Sequence, residues 1–166
     1  MDEGAIRNLA VRYSLAIDDG RLDEVGALFA ADATFAARYG EPLRGRQAIT
    51  AFLAANAAAQ VASHHAVHGH LIAADEEPDA AVGIVQVAAV LDKGGETLCF
   101  ALRCHDRYRL DGDRWVFAHR GIAVRFAEPA TADAAWSLGA ALDAADRPRD
   151  DQTRHVIERL AASGRP

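Results

Sequence analysis

The hydrophobic period of this chain changes once, near Ser63, and that change constrains the fold more than any motif does. Before it, apolar residues recur at three- and four-residue steps. Ile6, Leu9, Ala10, Tyr13, Ala16 and Ile17 make one amphipathic helix over about 2–18, stopped by Gly20. A shorter helix carries Leu22, Val25, Leu28 and Phe29 and ends near Ala31-Asp32, before a short strand around Thr34-Phe35. Gly45-Arg46-Gln47 opens a third helix, with Ile49, Phe52 and Leu53 on its apolar face and an Ala-rich stretch extending it to Ala62. After Ser63 the period is two, predicting strands over 64–73, 80–91, 97–110 and 114–126. Asp92-Lys93-Gly94-Gly95-Glu96 and Asp111-Gly112-Asp113 read as hairpin connections. Helices first and an antiparallel meander afterwards is an α+β order, not alternating βαβ.

A length of 166 residues argues for one domain. Glu128-Pro129 closes the last strand, dividing the chain into a body over 1–128 and a C-terminal helical extension over 129–166. Within the extension, 132–145 is a weak helix around Trp136, Leu138 and Leu142, and 150–162 a better one carrying Val156, Ile157 and Leu160. The formal charge of −6, with no basic stripe, argues against nucleic acid as a partner. No apolar run reaches the ~20 residues of a membrane span, and no secretory signal is visible. Cys99 and Cys104 lie an odd number apart, so on a strand they face opposite ways and do not suit a bridge. A reduced, cytoplasmic setting is the expectation.

Two places carry chemistry. One is the carboxylate end of the first helix, in Tyr13-Ser14-Leu15-Ala16-Ile17-Asp18-Asp19-Gly20; the other is Ser63-His64-His65-Ala66-Val67-His68-Gly69-His70. A Tyr, an Asp and a His from separate elements make an acid–base site that needs neither metal nor organic cofactor. Asp18 sits where the helix dipole is negative, so it either ends in solvent or is faced by a donor. Asp19, rotated by about 100° on the helix, then points elsewhere. Strict alternation puts His65 with Val67, Gly69 and Leu71, and His64, His68 and His70 on the other face. Zinc would have to use that second set, but residues spaced along one strand rarely converge on one ion; no metal is expected. Phe100, Leu102, Cys104, Asp106, Tyr108 and Leu110 share the apolar face of a later strand, so Asp106 and Tyr108 either reach the interior or tie strands together. Trp115, Phe117 and His119 alternate with Val116, Ala118 and Arg120, and both sets contain apolar residues, leaving the inward one open.

The order of several short motifs resembles the SnoaL-like branch of the NTF2-like superfamily. They are Arg12-Tyr13-x4-Asp18, Leu28-Phe29-Ala30-Ala31-Asp32-Ala33, Gly45-Arg46-Gln47-Ala48-Ile49, His64-His65, Asp106-x-Tyr108 and Asp111-Gly112-x2-Trp115-x3-His119-Arg120. The resemblance covers roughly 6–126. It implies a cone, with N-terminal helices packed on a curved, mainly antiparallel sheet around a cavity suited to a small hydrophobic substrate. Members of the dehydratase and dehydrochlorinase kind carry an Asp near the end of the first helix and a His on the following strand region, here Asp18 and His65. The bile-acid dehydratase pattern adds a Tyr five before the Asp, here Tyr13, and an Arg on the last strand, which falls on Arg125 if one gap is allowed.

The resemblance thus implies a cofactor-independent lyase or isomerase. Catalysis would lie with His65, Asp18 and Tyr13, and substrate contacts with Arg125, Asp106 and Tyr108. A polyketide-cyclase-type ring closure using Asp106 or Asp18, and a non-catalytic binding module, are the alternatives. Such folds pair through the open sheet face, so a homodimer or higher homo-oligomer is expected.

Overall fold

The computed structural model describes residues 1–37 and 40–130, apart from the side chain of Glu128. The helices expected at 132–145 and 150–162 lie outside the described residues. Three helices, α1 (Glu3–Asp18), α2 (Leu22–Ala27) and α3 (Arg46–Ala58), accompany six strands. These are β1 (Phe29–Ala36), β2 (Leu43–Arg44), β3 (Ala62–Ala74), β4 (Ala80–Asp92), β5 (Thr97–Asp111) and β6 (Arg114–Pro129). They form one mixed sheet in the order β2-β1-β6-β5-β4-β3. The β3–β6 meander is antiparallel throughout, and only the β1–β6 pair is parallel.

Asp2 caps α1 by accepting the Ala5 N–H at 3.0 Å. The helix buries the apolar stripe that its period announces, with Ile6 and Ala10 fully excluded from solvent. Ile6, Leu9, Tyr13 and Ala16 of that stripe join Val25, Phe29, Phe35, Ile49, Tyr108 and Phe117 in the main core, while Ala10 packs with Val85, Val87 and Cys104. Gly20, at φ 68°, takes the left-handed conformation that ends the helix and returns the chain into α2.

Two boundaries differ from the sequence expectation, and in each case strand pairing overrides local helical preference. Phe29 opens β1 instead of lying in a helix that runs to Ala31-Asp32, because the Phe117 N–H donates to the Leu28 carbonyl and Phe29 lies opposite Phe117. Helix α3 stops at Ala58, short of Ala62, because the Val61 N–H pairs with the Asp92 carbonyl and Ala62 already starts β3. β2 carried no signal of its own; it exists through pairing with β1.

Three irregularities bend the meander. In β3 the partners run Val67↔Val87 then Gly69↔Gln86, leaving His68 as an extra residue. In β6 the same bookkeeping leaves Ala118 and Arg125 extra. Each bulge twists the sheet and reverses the side-chain alternation beyond it. His70 therefore points inward to Tyr108, while Leu71 is 74% exposed, the opposite of the alternation-based expectation. For the same reason Phe117 and Arg120, three residues apart, are both buried on the inner side, which resolves the ambiguity over that strand. Cys99 and Cys104 are free thiols, Cys104 on the buried face.

Candidate functional site

The first residues of β3 cross the C-terminal end of α1, and this crossing builds the candidate site. Asp18 receives three hydrogen bonds. The Nδ1 of His65 lies 2.6 Å from Oδ1, the Ser63 hydroxyl donates to the same oxygen at 2.9 Å, and the His65 backbone N–H donates to Oδ2 at 2.7 Å. Both side chains are largely shielded, 13% exposed for Asp18 and 16% for His65. Burial alone would raise the Asp18 pKa, but the bonds from His65 and Ser63 outweigh it and hold the carboxyl below its ordinary value. An ionised carboxylate only accepts, so Nδ1 of His65 carries a proton, and in the neutral imidazole Nε2 is the nitrogen with the lone pair. Asp19 turns away and pairs with Arg21 at 3.0 Å. His64 is exposed, its Nδ1 4.0 Å from Asp18 Oδ2.

The sheet register shows what surrounds the dyad on the inner face. His65 stands in a cross-strand row with Ala89, Phe100 and Ala127, and the next inward row is Val67, Val87, Leu102 and Val124. These neighbours are apolar, and they range from buried Ala89 through half-buried Phe100 to exposed Ala127.

A second polar centre lies farther along the same face. Arg120 makes a two-pronged ion pair with Asp106, Nε–Oδ1 at 3.0 Å and Nη2–Oδ2 at 2.9 Å, with both side chains essentially inaccessible. Tyr108 donates its hydroxyl to Asp106 Oδ2 at 2.9 Å, and so must accept from His70 Nε2, also 2.9 Å away. That makes His70 the Nε2–H tautomer, opposite to His65, and leaves its buried Nδ1 without a partner among the described residues. Burial lowers the His70 pKa, favouring this neutral form. Burial, then the charge of Asp106, raises the Tyr108 pKa. Burial works against the charge on Arg120, yet Asp106 more than offsets it and its pKa rises.

Tyr13 belongs to this second centre. Its ring is edge-on to Phe29 and Phe117 at 6.0 and 5.9 Å, with the Arg120 guanidinium 4.3 Å from its centroid. Burial raises its pKa to about 12. Ala89 of the dyad row and Gly83, opposite Asp106, are six residues apart on β4, on the order of 20 Å along the strand. The structure thus brings Asp18 and His65 together, and gathers Tyr13, Asp106 and Tyr108 around Arg120. Arg125 is exposed at its bulge. Ser63 and Arg120 were not singled out by sequence. Ser63 could have been found from its two-residue spacing to His65; Arg120 was hidden by the bulge at Ala118.

On the outer face of the sheet a concavity of about 430 Å³ is lined by residues that include Leu71, Val82, Ile84, His105, Arg107 and His119. Of its polar groups, Arg107 pairs with Asp75 at 2.8 Å and His119 Nδ1 with the Thr34 hydroxyl at 2.7 Å. The dyad is the better candidate for chemistry. Among the described residues no cluster of three or more His, Cys, Asp or Glu could hold a metal ion, and no helix is long and apolar enough to cross a membrane.

Helices packed on an unclosed, curved, mostly antiparallel sheet define an NTF2-like α+β protein. Within that class the match is specific: the SnoaL-like domain family covers residues 1–121, and the chain belongs to it. No curated protein sequence matches. Among solved structures, a scytalone dehydratase-like protein from Novosphingobium aromaticivorans has 18% identity and a TM-score of 0.72, over 78% of this chain and 88% of its own. The hexachlorocyclohexane dehydrochlorinase LinA-type3 from Novosphingobium barchaimii has 16% identity and a TM-score of 0.70, over 78% and 90%. Rv3472 from Mycobacterium tuberculosis, of unknown function, has 20% identity and a TM-score of 0.65, over 96% and 86%. At these identities the likeness is one of fold.

Proposed function

We propose that this protein is a cofactor-independent lyase of small hydrophobic molecules, working by a dehydratase-like elimination. The observation that carries the reading is the 2.6 Å contact between Asp18 and His65, with no hydrogen bond to the imidazole Nε2 among the described residues. His65 Nε2 takes a proton from a carbon next to an electron-withdrawing group. The C–H electron pair becomes the new double bond, and the bond to the leaving group on the neighbouring carbon breaks. A departing hydroxide takes a proton from the imidazolium and leaves as water; a halide leaves as the anion. Asp18 fixes the tautomer and stabilises the imidazolium formed in between. Returning the proton to another carbon would give isomerisation with the same groups. Two of the structural neighbours are named for eliminations, which supports this choice.

Tyr13, Asp106 and Tyr108 gather around Arg120 in the second polar centre, so the proposed chemistry rests on Asp18 and His65 alone. Arg125, exposed, is the candidate contact for an anionic or carbonyl oxygen of the substrate. Ring closure with Asp106 as acid–base group is less favoured, since both its oxygens are already bonded. The outer sheet face, with Arg103, His105, Arg107 and Arg109 beside exposed Leu71, is the proposed contact between copies; a monomeric mass in solution would contradict it. The activity is tested by incubating the protein with a panel of cyclic β-hydroxy ketones and chlorinated cyclohexanes and following alkene formation. Turnover by the wild type and loss of about 10²–10⁴-fold in His65→Ala is expected; equal rates in the two would refute the assignment.

A further inference from the structure

We propose that Ser63 is a positioning residue of this site: its hydroxyl, together with the backbone N–H of His65, locks the plane of the Asp18 carboxylate against His65 Nδ1. The inference rests on reading Asp18 and His65 as the acid–base pair, and adds the group that sets their geometry.

The need for such a lock follows from where Asp18 stands. It is the last residue of α1, at the negative end of the helix dipole, and no basic side chain lies in that turn. The terminal torsion of a carboxylate is broad, so one contact to an imidazole would leave it free to rotate. Two donors on different oxygens remove that freedom: Ser63 Oγ on Oδ1 and the His65 N–H on Oδ2. Ser63 and His65 are two apart on β3, so their side chains leave the same face of the strand and reach the same helix end. His64, between them, is exposed, with its Nδ1 4.0 Å from Asp18 Oδ2, beyond hydrogen-bond distance. Because Ser63 and His65 Nδ1 share Oδ1, the hydroxyl also draws charge from the oxygen that polarises the imidazole. It thereby helps keep Asp18 ionised, in line with the lowered pKa of that carboxyl.

The test uses the full chain labelled with ¹⁵N-histidine and ¹³C-aspartate, with His65→Gln and Asp18→Asn for assignment. In the wild type, His65 should be the Nδ1–H tautomer with a low-field Nδ1 proton. In Ser63→Ala the tautomers should mix, the low-field proton should broaden or move upfield, and the Asp18 carboxyl should titrate at higher pH. Ser63→Thr, which keeps the hydroxyl, should restore all three signals. Ser63→Cys, a weaker donor of similar size, gives the same readout if the alanine variant does not fold. Tautomer and Asp18 titration unchanged in the Ala or Cys variant would overturn the proposal. With an active substrate, Ser63→Ala should lower kcat about tenfold and leave KM within about twofold. The spectra need no substrate, so the two readings fail separately. Lost tautomer control in a protein that turns over nothing would sink the lyase reading alone; an active protein with unchanged spectra would sink Ser63 alone.

Discussion

Asp18 and His65, 47 residues apart in sequence, meet at 2.6 Å because β3 begins where α1 ends. A carboxylate at a helix C-terminus is disfavoured on its own. Here three donors reverse that, and only one of the two imidazole nitrogens, Nδ1, is among them. In the proposed mechanism, the geometry that stabilises the carboxylate is the one that prepares the base.

The first consequence concerns pH. The folded-state pKa of Asp18 lies below its unfolded value, so the unfolded chain binds this proton more readily as pH falls. The stabilisation is present above the ordinary carboxylate pKa of about 4 and is lost as pH drops through the lower folded value. Urea unfolding from pH 7 to pH 3 should show a steeper loss of stability for the wild type than for Asp18→Asn. Parallel curves would mean that the three hydrogen bonds carry no net preference for the charged form.

The buried ion pair should respond to single and double changes in opposite ways. Asp106→Ala leaves the Arg120 guanidinium, 2% exposed, without its counter-charge, and should cost about 3–5 kcal/mol. Replacing both by apolar residues of similar volume, Asp106→Leu with Arg120→Met, should recover much of that loss. Denaturant midpoints of the three proteins decide it. A double variant no more stable than Asp106→Ala would show that the pair contributes more than charge compensation.

Gly83 sits where β4 passes the second polar centre. A Cβ there would lie 2.8 Å from Tyr108 Cε2 and 3.1 Å from His70 Nε2. Gly83→Ala must push the ring or break the His70–Tyr108 hydrogen bond, so a loss of about 1–3 kcal/mol is expected. An unchanged thermal midpoint would contradict the close packing of the two rings.

Much of this was legible in the sequence. The period change near Ser63 marks the passage from helices to meander, and helix rotation separates Asp18 from Asp19. What escaped was whatever depends on pairing between distant strands. Phe29 looked helical until Phe117 claimed it, and His70 looked outward until the extra residue at His68 reversed the alternation. Arg120 was masked in the same way by Ala118, since an inserted residue in one strand is defined only by its neighbour's register. Tyr13, joined to the pair only through the family resemblance, packs under Arg120, because five residues carry it to another face of α1 than Asp18.

The central claim is that His65, held by Asp18, removes a proton from carbon. It is tested most directly by the rate of solvent deuterium incorporation and elimination on the first substrate turned over, compared among wild type, His65→Gln, Asp18→Asn and the double variant. The account predicts that either single change lowers both rates by about 10²–10⁴-fold and that the double variant is little worse than His65→Gln, since the two residues act as one unit. A folded double variant with the wild-type rates would contradict it.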